Sequence, residues 1–172
     1  MLKIGSLVVY GVEGVCQVSD IISQSFAGSS EMKDYYVMVP VHNSSSKLYV
    51  PVDNEKLTSK IMELLSYDEI VELIEKCSDC NEWIADNKLR SKYYKEVLNS
   101  YDREKIFALA RVLYLAKCGK IPGVKKLYVM DEDILRKTSQ ILYSEFSYVV
   151  ELTQDDVLPF IAGEISCRRK DT

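Results

Sequence analysis

The sequence predicts an α+β chain, with a small N-terminal β-barrel over residues 1–56 followed by an all-α helical domain over residues 57–172. Two observations carry this. The first fifty residues hold short β-branched and aromatic runs separated by Gly, Ser and Asn turns, the spacing of a small curled sheet. From about Ser59 the apolar period changes to that of helices, with cap signals at their starts.

The strands come first. Leu7-Val8-Val9-Tyr10 is followed by the turn Gly11-Val12-Glu13-Gly14. Residues Val15 to Ile22 alternate well enough for a half-buried strand, and a loop with Phe26, Gly28, Ser29 and Ser30 comes next. Tyr35–Val39 and Leu48–Val52 supply a third and a fourth strand on either side of the polar turn His42–Ser46. Pro51 has no N–H to give a ladder, which favours a strand end or an edge.

In the helical half, Ser66-Tyr67-Asp68-Glu69 reads as a capping box, leading into the apolar stripe Ile70, Leu73 and Ile74. A second helix is expected from about Trp83 to Asn99, with the only tryptophan at its start. Lys88, Lys92 and Lys95 recur at i, i+4 and i+7 and so project from one face, while Leu89, Tyr93, Val97, Tyr94 and Leu98 fall on the side suited to packing. Asp102 is a plausible N-cap for a third helix, Arg103 to Lys117, with Ile106, Phe107, Ala110, Leu113 and Tyr114 inside and Gly119 at C′. Acid at Asp131-Glu132-Asp133 suits the dipole at the start of a fourth helix, which carries Leu135, Leu142, Glu145 and Phe146. A short last helix follows Thr153, and the tail from Cys167 is expected to fray.

Composition bounds the function. Of 172 residues, 47% are hydrophobic and 28% charged, ordinary for a globular chain. No apolar run is long enough for a membrane span, and Met-Leu-Lys-Ile-Gly-Ser-Leu is not a secretory leader, so a cytoplasmic location is the expectation. Phosphate-loop, dinucleotide, zinc-protease and nucleophile-elbow motifs are all missing, and one histidine, His42, in a turn leaves little for acid–base chemistry. No catalytic residue, cofactor or small-molecule substrate is expected. Five cysteines, at 16, 77, 80, 118 and 167, are odd in number and scattered. Cys77-Ser-Asp-Cys80 has metal or redox spacing, but a structural zinc needs four ligands and no second pair exists, so free thiols and no metal are expected.

The net charge of −4 conceals a segregation. Residues 81–126 hold 11 basic against 5 acidic residues, a net of +6, whereas 1–80 and 127–165 each carry −6. Local potential is what a polyanion meets at contact range. Two readings of the Asn81–Asp102 stretch therefore stand side by side. One is an apolar wedge beside a basic stripe, as in proteins that bend or open DNA. The other is a core tryptophan behind a solvated lysine face.

The chain also resembles the CarD/CdnL family of bacterial transcription regulators. The resemblance is carried by Ile4-Gly5-Ser6-Leu7-Val8-Val9-Tyr10, Gly14-Val15, Tyr35-Tyr36-Val37-Met38 and Leu48-Tyr49-Val50-Pro51-Val52 in the first half. In the second half it is carried by Trp83, Asn87 and Arg90 continuing to Tyr94, Leu98, Ser100 and Asp102, and by Ile141-Leu142 with Glu145-Phe146. It implies a Tudor-like (SH3-like) barrel, shared with the transcription-repair coupling factor, that docks on the β subunit of RNA polymerase. By motif position the anchors would be Gln24, Phe26, Tyr49 and Pro51. It further implies that the helical domain stabilises the promoter open complex near the −10 element, with Trp83 as the wedge and Lys88, Lys92 and Lys95 on phosphates, largely independent of sequence. The alternative is a module that binds polymerase without touching DNA. Arg90 falls on the apolar side of its helix and reads as structural, paired with a carboxylate such as Glu145. Where family members often carry Ser-Gly-Asp, this chain has Ser100-Tyr101-Asp102.

Overall fold

The computed structural model describes residues 2–25 and 31–169. The chain forms two compact units, one through Leu64 and one from Leu65 onward.

The first unit is an antiparallel sheet of β1 (Leu7–Tyr10), β2 (Val15–Gln24), β3 (Lys33–Pro40), β4 (Leu48–Pro51) and β5 (Ile61–Met62), in the order β4-β3-β2-β1-β5. A four-residue helix, α1 (Glu55–Thr58), lies between the last two strands, capped by Asn54. Val8, Cys16, Val18, Tyr36, Met38 and Val50 form the buried face. The chain turns into β2 at Gly14, whose φ of 73° belongs to the left-handed side that a side chain disfavours. β2 is interrupted at Ser19, where the register against β3 slips between Val18 and Asp20, and the Ser19 hydroxyl donates to the Val37 carbonyl at 3.1 Å. A bulge of this kind bends its strand and curls the sheet.

Two expectations change here. The curl does not close into a barrel: among the described residues β4 pairs only with β3 and β5 only with β1, so the sheet stays open. Nor does helical structure begin at Ser59. Ile61 and Met62 pair with Tyr10 and Val9, which carries the strand-rich unit past residue 56 to Leu64.

The second unit packs α2 (Tyr67–Lys76), α3 (Asn87–Ser100), α4 (Arg103–Lys117), α5 (Val129–Phe146) and α6 (Val157–Ile161) around one core. The capping box at the start of α2 is complete: Glu69 N–H donates to the Ser66 hydroxyl at 3.3 Å, and Ser66 N–H donates to the Glu69 carboxylate at 2.7 Å. Phe107, Phe146 and Phe160 meet in the centre with ring centroids 6.3 Å apart, the second pair edge to face. Glu145, 3% exposed, accepts from Leu65 N–H at 2.9 Å and pairs with Arg103 at 2.8 Å, which ties the start of the unit to α4 and α5. Burial pushes its carboxyl above the usual range, only partly offset by Arg103 and the Leu65 N–H.

The unit is not all-α. Val150–Glu151 (β6) pairs with Arg168–Arg169 (β7), so part of the tail expected to fray is held in a two-stranded ladder. The fourth helix starts at Val129, ahead of the acidic triplet, and α3 starts at Asn87 rather than Trp83. Asp86 decides the second difference: its carboxylate accepts from Lys88 and Leu89 N–H at 2.8 and 2.9 Å, an N-cap that leaves Trp83 in the irregular segment before the helix.

Tyr101 is the only non-glycine at positive φ among the described residues (54°). It ends α3 in the left-handed conformation, which costs an L-residue about 1–2 kcal/mol. Tyr101→Gly should therefore raise the stability of the helical unit by up to about 1 kcal/mol in urea denaturation, once glycine's larger backbone entropy is offset.

Candidate functional site

The centre of the helical unit's candidate site is Arg90. Expected to be structural, it is 2% exposed, and it pairs with Asp131, itself fully buried, not with Glu145. Glu145 is occupied by Arg103. The Arg90 Nε donates to Asp131 Oδ1 at 2.9 Å, and Nη2 donates to Asp131 Oδ2 at 3.2 Å and to Asn87 Oδ1 at 2.8 Å. Nη1 donates to the carbonyls of Ile84 and Ala85 at 2.8 and 3.2 Å. The five donors of the guanidinium thus match five acceptors. Asp131 also accepts from the Tyr94 hydroxyl at 2.8 Å and from Tyr128 N–H at 3.0 Å. Burial alone would raise the Asp131 carboxyl, but these hydrogen bonds and the Arg90 charge hold it below the ordinary value on balance. Burial, then the bond to Asp131, pushes Tyr94 up and keeps it a donor.

This cluster fixes Trp83. Its ring lies 4.6 Å from the Arg90 guanidinium, whose other neighbour, Tyr128, is 5.9 Å away. Trp83 is half-buried and packs against the core, and the two carbonyls after it are held by Arg90. Together with Tyr93, Tyr94, Leu109 and Leu113 it walls a cleft of about 370 Å³ that Cys80 also lines.

Lys88, Lys92 and Lys95 are all exposed along α3, and Lys92 reaches Glu96 at 3.7 Å, a solvated pair worth little. The inward stripe of α3 is Arg90, Tyr94 and Val97. Leu89 and Tyr93 were expected on the packed side but are 62% and 36% exposed, because the pair with Asp131 draws Arg90 into the position an apolar residue would take. Tyr128, 55% exposed, lines a shallow cavity with Lys88 and Arg90, and Val129, next in sequence, is 84% exposed. Sequence patterning singled out neither of them, nor Asp131 as a partner of Arg90. Among the described residues no group of three or more His, Cys, Asp or Glu side chains could hold a metal ion.

On the sheet unit, Tyr49 (44% exposed) and Pro51 (half-buried) lie on β4, an edge strand, opposite Val37 and Tyr35 of β3. Gln24, exposed, ends β2 opposite Lys33, at the same end of the sheet as Pro51. Val52 N–H donates to the Asp34 carbonyl at 2.8 Å, so by the antiparallel alternation the backbone groups of Tyr49 and Pro51 lie on the outer side of β4. Phe26, the remaining anchor expected here, lies outside the described residues.

Residues 2–62, ending on the last residue of β5, match the family model for the CarD-like/TRCF RID domain. The N-terminal unit is a CarD-like/TRCF RID domain. Domains of this family are protein-interaction modules rather than catalytic ones, and the family's interaction is with RNA polymerase, in transcription. No curated protein matches the chain. No helix among the described residues is long and apolar enough to cross a membrane.

Breaking a buried pair strands the remaining charge, at about 3–5 kcal/mol. Asp131→Asn should lower the stability of the helical unit by that order at neutral pH, read by urea denaturation. Because the Asp131 pKa is depressed in the fold, its contribution is present above the unfolded carboxylate pKa and is lost as pH falls through the folded value. The variant should accordingly show a shallower acid limb than the parent.

Proposed function

We propose that the chain is a transcription regulator without catalytic activity, which binds the β subunit of RNA polymerase through its RID domain and stabilises promoter DNA in the open complex through its helical unit. The match over residues 2–62 carries the polymerase half of this reading. Tyr49, Pro51 and Gln24 at one end of an edge-bearing sheet suit a partner that adds a strand and takes a few side-chain anchors.

The DNA half is supported by Trp83 and its surroundings. An apolar wedge must be held rigidly to fill a gap between bases, offsetting an unstacking cost of roughly a few kcal/mol. Arg90 supplies that rigidity by holding both the ring and the backbone after it. Lys88, Lys92 and Lys95, exposed on the next helix, would lie against phosphates, a term that is salt-dependent and blind to sequence. Stabilising the open state in this way needs no base readout.

A second reading has its own observation. Trp83 is half-buried against the core and one side of it faces Arg90, the arrangement of a structural tryptophan in a unit that serves only as a protein surface.

Open-complex lifetime under competitor challenge separates the two readings. Trp83→Ala should shorten it at least several-fold while capture by purified RNA polymerase is unchanged; an unaltered lifetime in a folded variant selects the second reading. Changing Lys88, Lys92 and Lys95 together to Gln should reduce the magnitude of the log–log salt slope of DNA binding by about 2–3. Tyr49→Ala should weaken polymerase capture and leave thermal stability nearly unchanged.

A further inference from the structure

Neither the proposed polymerase contact nor the proposed DNA contact uses the thiols of Cys77 and Cys80. Cys77 caps α2 and is 1% exposed, whereas Cys80 is half-buried and lines the Trp83 cleft. We infer that they form a reversible dithiol–disulfide couple, oxidised by a low-molecular-weight disulfide that reaches Cys80 through this cleft.

The backbone is already set for the bond. Cys80 N–H donates to the Cys77 carbonyl at 3.0 Å, closing a tight turn. A turn of this kind brings its end Cα atoms within about 7 Å, and protein disulfides span about 4.4–6.8 Å. The turn is also anchored from outside, because Arg111 Nη2 donates to the Ser78 carbonyl at 2.7 Å and Lys76 pairs with Glu104 at 2.6 Å. Closing the bridge therefore asks for side-chain rotation more than backbone travel. Among the described residues no group of three or more His, Cys, Asp or Glu side chains could hold a metal ion at this pair.

The difference in exposure orders the steps. The Cys80 thiolate attacks one sulfur of the small disulfide, whose S–S bond breaks and releases one thiol. Cys77 then attacks the Cys80 sulfur, the mixed disulfide breaks, and a second thiol leaves. The two protons from Cys80 and Cys77 end on the two released thiols, and the two electrons lost by the cysteines reduce the small disulfide. Burial, followed by the neighbouring Cys80, pushes Cys77 up to about 11, so the second step is slow at neutral pH and accelerates in alkali. Intracellular disulfides of this sort are transient and redox-sensing rather than structural. Trp83, three positions after Cys80 and in the same cleft, is the chain's only tryptophan and reports the closure.

The test treats the reduced full-length protein with oxidised glutathione, quenches with acid, alkylates with iodoacetamide and maps the peptides by mass spectrometry. The expected result is loss of both alkylatable thiols from the peptide holding Cys77 and Cys80, with no glutathione on it. Exposed Cys118 should retain a glutathione adduct in the same sample. Dithiothreitol should restore both thiols, and Trp83 emission should shift and return with them. In Cys77→Ser the adduct should persist at Cys80 and the emission change of the closed bridge should be lost. Two free thiols after oxidation, or a glutathione adduct that persists on Cys80 of the unaltered chain, would overturn the proposal.

Discussion

The helical unit depends on one buried ion pair. Arg90 and Asp131 lie 41 positions apart on α3 and α5, and each brings a charge into the interior that would be expelled if left alone. What makes the pair tolerable is saturation: carboxylate and carbonyl acceptors take every guanidinium donor, and Tyr94 and the Tyr128 N–H complete Asp131. A buried pair seldom adds net stability over apolar packing. Its value here is directional, because only one placement of α3, α5 and the segment before α3 satisfies all the partners together. Lysine could not substitute for Arg90, since a single ammonium cannot reach two backbone carbonyls and both carboxylate oxygens at once.

The same pair explains how the candidate site is laid out. Trp83 sits in irregular backbone, where position is ordinarily loose, yet the ring and the two following carbonyls share one guanidinium. Asp86 then begins the helix, so its negative charge is spent on capping Lys88 and Leu89 N–H groups. The lysines beyond it are left facing solvent on a helix whose inner stripe is locked.

Much of this was legible in the sequence, and the misses have a common cause. Local signals are legible: the capping box at Ser66, the Asp102 cap, the strands at Tyr35–Val39 and Leu48–Val52, and the place of Pro51 at the end of an edge strand. Arg90 was recognised as structural from its side of the helix. Its partner was not, because pairing between residues 90 and 131 leaves no period in either segment, and Asp131 looked like ordinary acid at a helix start. β5, β6 and β7 were missed for a related reason: each is two residues long and exists only through the strand it pairs with. The sequence reading starts the helix at about Trp83, whereas the cap at Asp86, a single-residue decision, starts it at Asn87.

The open sheet of the RID domain has a consequence for solubility. Exposed strand edges invite another chain to pair with them, including a second copy of the same protein. Here one edge, β5, is two residues long, and the other, β4, is four residues long and contains a proline that offers no N–H. Neither gives a long flat template for stacking copies. A short edge that lacks one N–H gives indiscriminate strands little to pair with, and so makes a poor nucleus for aggregation.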